Sequence, residues 1–224
     1  MQKNVVEEIA SEQPQVSPYD TLSLESLGVC LFTGEVNGES ARYASEFILK
    51  SNLLQTHLQN LTFFINSEGG STSDGFAVID LMETSRIPIS TVGIGQIASM
   101  GVLLLSAGTP GYRVLTKNAE VMAHQFSGYF AGKHHELLAQ QQSYEMLEKR
   151  FMKHFLRHTN MNERQIRDIV FAKTDRYLTP EECKRFGIVD RVVDYAEPVT
   201  RVKKAPAKKK ATTKPTARAP SKTD

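Results

Sequence analysis

The residues best suited to chemistry are Ser99, six histidines, Asp175 and a pair of adjacent glycines, spread over a 224-residue chain. Ser99 lies in "GQIASMGVLLLSAGTPG" (95–111), just ahead of the apolar run "GVLLL". The strand-like "ISTVGIG" (89–95) precedes it, and Gly95, Ala98 and Gly101 keep its surroundings small. A serine where a strand turns into a helix points its oxygen out of the sheet's end, beside helix N-terminal amides. That is the logic of a nucleophile elbow: small neighbours allow the sharp turn, and backbone N–H groups hold an oxyanion. The local text is not GxSxG, because Ile97 stands where the first glycine would be. A serine at a helix start is also an ordinary cap. This stretch alone leaves both readings open.

A serine hydroxyl is a poor nucleophile without a base. His57, His134, His135, His154 and His158 sit among polar or charged residues and read as surface positions. His154 and His158 have an i, i+4 spacing that a metal could share. The text there is "HFLRH" rather than HExxH, no third ligand is evident nearby, and no metal site is expected. His124 differs. It follows the apolar residues of "EVMAHQ" (120–125) and precedes the small-residue turn "FSGY", which places it to face a site. A satisfied core histidine would look the same.

Asp175, in "KTDRYLTPEE" just ahead of Thr179, is placed to orient an imidazole and stabilise its charged form, or is a loop aspartate. Asp168 lies in a charged amphipathic helix and is the weaker candidate. In "INSEGGSTSDG" (65–75), Gly69 and Gly70 follow a buried strand and permit close backbone approach. That suits an amide aimed at a substrate oxygen, a backbone strip that pairs with an extended peptide, or a simple turn. No GK[ST] follows, which disfavours a phosphate loop.

These residues need a scaffold of alternating strands and helices. Strands are expected at 27–34, 61–66, 89–95, 112–116, 120–125 and 188–193, and helices at 40–57, 76–86, 98–108, 132–159, 162–173 and 179–187. The last helix carries a Thr179 cap, Pro180 at its first position and Gly187 at its end. This alternation predicts an α/β domain. Cys30 and Cys183 form no CxxC pair and read as buried free thiols.

Residues 198–224 hold nine Lys or Arg against one acid, a charge of +8, which leaves −6 for the rest of a chain whose net charge is +2. The expected organisation is a flexible N-terminal segment (1–20), a folded domain (21–197) and a disordered basic tail (198–224). No apolar run is long enough to span a bilayer, and no signal peptide is evident. Cytoplasmic location is the default, with no membrane partner. The tail is suited to nonspecific nucleic-acid contact.

Three stretches together resemble the ClpP family, the proteolytic subunits of the ATP-dependent Clp protease. They are "FFINSEGGSTSDGFAVID", "GIGQIASMGVLLLSAGTPGYRVLTKNAEVMAHQ" and "TDRYLTPEECKRFGIVD", and the similarity runs from about residue 26 to 194. The resemblance implies a ββα superhelix of the ClpP/crotonase kind, with residues 133–158 as a protruding handle helix. It implies a serine endopeptidase with Ser99 as nucleophile, His124 as general base and Asp175 as orienting acid. It places the oxyanion amides at Gly70 and Met100, and substrate contacts at Gly69, Gly70, Gln125, Phe126, Ser127 and Gly128. No cofactor or metal is implied. The partners implied are protein or peptide substrates, further copies in stacked heptameric rings, and an AAA+ unfoldase.

Three positions depart from the family pattern: Glu68 replaces a usual proline, Phe126 another, and Thr174 the arginine before the acid. These departures, with the divergent ends, leave room for a specialised or virus-encoded maturation protease working without an unfoldase. A crotonase-type acyl-CoA enzyme shares the fold but needs no triad.

Overall fold

The computed structural model describes residues 23–54, 58–128 and 131–194. The chain divides into Met1–Asp194 and Tyr195–Asp224, and all described residues belong to the first unit. The expectations for residues 1–20 and 198–224, and for His57, lie outside the described residues.

After a 3-10 turn at Glu25–Leu27 the chain alternates as the sequence predicts. The elements are β1 (Val29–Val36), α1 (Gly38–Leu54), β2 (Leu61–Gly70), α2 (Thr72–Thr84), β3 (Ile89–Ala98), α3 (Met100–Ser106), β4 (Arg113–Thr116) and β5 (Glu120–Ala123). Then follow α4 (His134–His158), α5 (Glu163–Ile169), β6 (Arg176–Leu178), α6 (Pro180–Arg185) and β7 (Arg191–Val193). The parallel strands are ordered β1-β2-β3-β4-β7. β3 is shared: Thr91–Gly93 pair with β4, and Gln96–Ala98 pair with β5. β5 also pairs antiparallel with β6, a strand the sequence reading left out. Two of the strands are longer than expected, since β2 continues to Gly70 and β3 to Ala98.

Helices cover the sheet with their apolar stripes. α1 buries Ala41, Ala44, Phe47, Ile48 and Ser51 at helical spacing. The Phe47 ring meets Phe63 of β2 edge-on at 5.5 Å. Every residue of α3 is buried, so Val102 to Leu105 anchor this short helix at about 1.5–3 kcal/mol per side chain. α4 is different: no residue from 134 to 150 is buried, and its buried residues are Phe151, His154 and Phe155 near the C-terminal end.

One polar knot joins the far end of the sheet to the helices. Arg113 Nη2 donates to Asp190 Oδ1 at 2.6 Å and Nε to Oδ2 at 3.1 Å, while Nη1 donates to the carbonyls of Ser106 and His158. Burial alone would raise the Asp190 carboxyl; hydrogen bonds from Arg113 outweigh it and hold the group below its usual value. Among the described residues, no helix is long and apolar enough to cross a membrane.

Candidate active site

Ser99 holds the N-cap position of α3 with φ 52° and ψ −121°. It is the one non-glycine residue with positive φ among the described residues. Such a conformation costs on the order of 1–3 kcal/mol and persists only where its surroundings enforce it. Here the Ser99 N–H donates to the Met122 carbonyl of β5 at 3.0 Å, and its carbonyl accepts from Val102 N at 3.0 Å. Other helices show what a capping side chain does: Ser71, Asn162 and Thr179 each accept from the amide three residues on. Ser99 makes no such bond. The Ser99 hydroxyl therefore does not serve as the cap of α3.

The end of β2 presses onto the elbow. A methyl group on Gly69 (φ 96°) would lie 2.5 Å from Ser99 Cβ, 2.8 Å from Ala98 O and 2.9 Å from Met100 N. Only a glycine permits that approach. The following Gly70 (φ 142°) lies instead against the Val36 backbone of β1. Met100 itself is buried, with its side chain packed on Gly75 of α2. Its N–H is the first amide of α3 and has no acceptor within the helix.

Ser99, His124, Gly69, Gly70, Phe126 and Ser127 line one open groove of about 300 Å³, with Thr72, Glu35 and Glu68 at its edge. His124 is half-buried. Gln125 and Gly128 are exposed and lie outside the groove's lining. Asp175 is also exposed and outside the lining. Strand pairing nevertheless brings the residue before His124 and the residue after Asp175 together. β5 and β6 pair as Val121 with Leu178, Met122 with Tyr177 and Ala123 with Arg176, and His124 and Asp175 flank that last pair. Among the described residues, no hydrogen bond joins Ser99 to His124 or His124 to Asp175.

Phe126 turns away from a purely pocket role. Its ring lies 5.1 Å from Tyr144, 5.4 Å from Phe151 and 6.3 Å from Phe171. It thus fastens the segment after His124 to α4 and to the residues following α5. Glu35 and Thr72 are groove residues that sequence reasoning missed, and Glu68 stood there only as a departure from the family pattern. Glu68 could have been found as the acid beside the two glycines, whereas Glu35 joins only through β1–β2 pairing, opposite Gly69.

The remaining histidines divide. His134 and His135 are exposed, as expected. The surface reading of His154 is wrong: it is only 5% exposed, because the last turns of α4 pack on the body of the protein. Burial, and then the neighbouring His158, push its pKa down to about 3. His158 is half-buried, with Nε2 at 2.7 Å from Glu83 Oε1. Asp168 is exposed and pairs with Arg164 on the same helix. Cys30 and Cys183 are buried free thiols whose pKa values burial raises to about 12, which removes them as nucleophiles.

Comparison with known families matches the one described as Clp protease over residues 18–196, most of the chain.

Proposed function

The chain belongs to the Clp protease family and is a serine endopeptidase, and on that premise we propose that Ser99 is its nucleophile, His124 its general base and Asp175 the acid that orients the base. The observation that carries this reading is the strained, non-capping Ser99 at the head of α3. His124 accepts the Ser99 proton as Oγ attacks the peptide carbonyl. The N–H groups of Gly70 and Met100 then take the charge that develops on the carbonyl oxygen. His124 returns the proton to the leaving amine, water enters, and the acyl-enzyme is hydrolysed by the same base. Asp175 stabilises the imidazolium without itself becoming protonated. An extended peptide is accommodated by the exposed backbone of Gly70 on one side and Ser127–Gly128 on the other.

Family membership carries with it protein substrates and an oligomeric assembly. We read the assembly as stacked rings of this chain, joined through α4. Leu137, Leu138 and Met146 are exposed on its core-free stretch, apolar area of the kind a neighbouring copy covers. An ATP-driven unfoldase would supply unfolded substrate to such a chamber. The direct test is hydrolysis of a fluorogenic peptide by the full-length protein. Ser99→Ala is expected to lose at least about 10³-fold in kcat/KM. Unchanged hydrolysis in that variant would overturn the assignment.

A further inference from the structure

Away from the groove, three side chains from two helices converge. His154 and His158 lie one turn apart on α4, with ring centroids 4.5 Å apart. Glu83, next to the last residue of α2, faces them. One ligand atom from each of the three lies within 4.8 Å of the other two. The third ligand that the sequence did not reveal is thus supplied from 71 positions upstream of His154.

We propose that Glu83, His154 and His158 form a binding site for a transition-metal dication of the Zn²⁺ class. Two imidazoles and one carboxylate are a ligand set suited to such an ion, with a position left for water. The surrounding bonds hold these ligands in the manner of an outer shell. Ser106 Oγ lies 2.9 Å from His154 Nε2 and donates its own proton to the Leu103 carbonyl at 3.0 Å. His154 Nε2 must therefore carry the hydrogen and donate to Ser106, which leaves Nδ1 with a lone pair. Arg157 donates to Glu83 Oε2 at 2.7 Å and leaves Oε1 directed at His158.

The His158 Nε2 to Glu83 Oε1 separation of 2.7 Å is that of a shared proton. Around an ion with bonds of about 2.0–2.1 Å, the same atoms would part to roughly 3.3 Å, a shift within the reach of rotamer adjustment. A cavity of about 180 Å³ opens onto Glu83, His154 and Arg157 and provides an entry path. Arg150 and Lys153 also line it, so the ion meets cationic neighbours, and Glu83 with Asp80 supplies the opposing charge. Because α2 begins just after Gly70, the ion would fasten to α4 the far end of the helix that starts at the groove.

The test uses Co²⁺ as probe on the full-length protein, followed by calorimetry and by its visible ligand-field spectrum. One Co²⁺ per chain is expected, with the intense bands of low-coordinate nitrogen and oxygen ligation. Glu83→Gln and His158→Ala are each expected to weaken binding at least about tenfold. His135→Ala, on the exposed start of α4, should leave it unchanged. Glu83→Gln keeps shape and hydrogen bonding, so its effect is separable from misfolding. No stoichiometric binding, equal binding in Glu83→Gln and His158→Ala, or loss in His135→Ala would each overturn the proposal. None of these readouts depends on peptidase activity.

Discussion

His124 follows and Asp175 precedes the Ala123–Arg176 pair that ends the β5–β6 ladder. The ladder thus brings together two chain segments that carry these residues, 51 positions apart in sequence. Asp175→Asn should consequently lower kcat by about 10²–10⁴-fold, because the amide no longer stabilises the imidazolium. KM and thermal stability should barely move, since Asp175 is exposed. Steady-state kinetics on a short peptide checks this. Activity within threefold of the parent would remove Asp175 from the mechanism.

Gly69 is the position where the elbow tolerates no side chain. Gly69→Ala places a methyl 2.5 Å from Ser99 Cβ at a backbone φ of 96°. The strain and overpacking together should cost about 2–4 kcal/mol in stability and abolish peptide hydrolysis. Gly111→Ala is the matched control: φ is 90°, but the space around it is open. It should cost only about 1 kcal/mol and leave activity intact. Urea unfolding of both variants distinguishes crowding at the elbow from the backbone penalty alone.

Two carboxylates line the groove: Glu35 of β1, paired with Gly69, and Glu68, the residue before that glycine on β2. Each contributes up to about 1 kcal/mol toward a nearby cation in a solvated site. Peptides with Lys flanking the cut should be hydrolysed roughly 3- to 10-fold faster than the same peptides with Glu. The preference should shrink as salt rises and vanish in the Glu35→Gln, Glu68→Gln double variant. A flat preference in the parent protein, measured as kcat/KM, would contradict the role given to this edge.

His154 gives the fold a defined acid sensitivity. Its pKa is about 3 in the folded protein, held down by burial and by His158, against an ordinary value of 6.5. Below pH 6.5 the unfolded chain takes up a proton that the folded one refuses, so stability from this residue is fully present above pH 6.5. It declines as pH falls toward 3, by at most about 1.4 kcal/mol per pH unit. Urea melts in chelator-treated buffer should show that slope, and His154→Gln should flatten it. Identical slopes in the two proteins would show that the ring is protonated in the folded state.

Much of the fold was legible because each α/β unit announces itself locally. Apolar strand runs alternate with helical stripes, and Thr179, Pro180 and Gly187 bound α6 much as their conformational preferences require. Ser99 and the glycine pair were legible as candidates through residue type and neighbours. Ser99's freedom from capping was not, because it depends on a dihedral set by β5 and by Gly69. β6 was missed because three residues without apolar alternation acquire strand form only from their partner. Glu83 and the burial of His154 were invisible for a related reason: polar sequence neighbours describe α4's exposed faces, while its last turns dock on α2 and α3. Pairwise convergence of that kind has no signature in periodicity.

The most direct test of the central claim is the site of covalent modification by a fluorophosphonate. Mass spectrometry of the labelled full-length protein should find one adduct per chain, on Ser99, with none in Ser99→Ala and a strongly slowed rate in His124→Ala. An absent adduct, or one on another residue that persists in Ser99→Ala, would show that Ser99 is not the nucleophile.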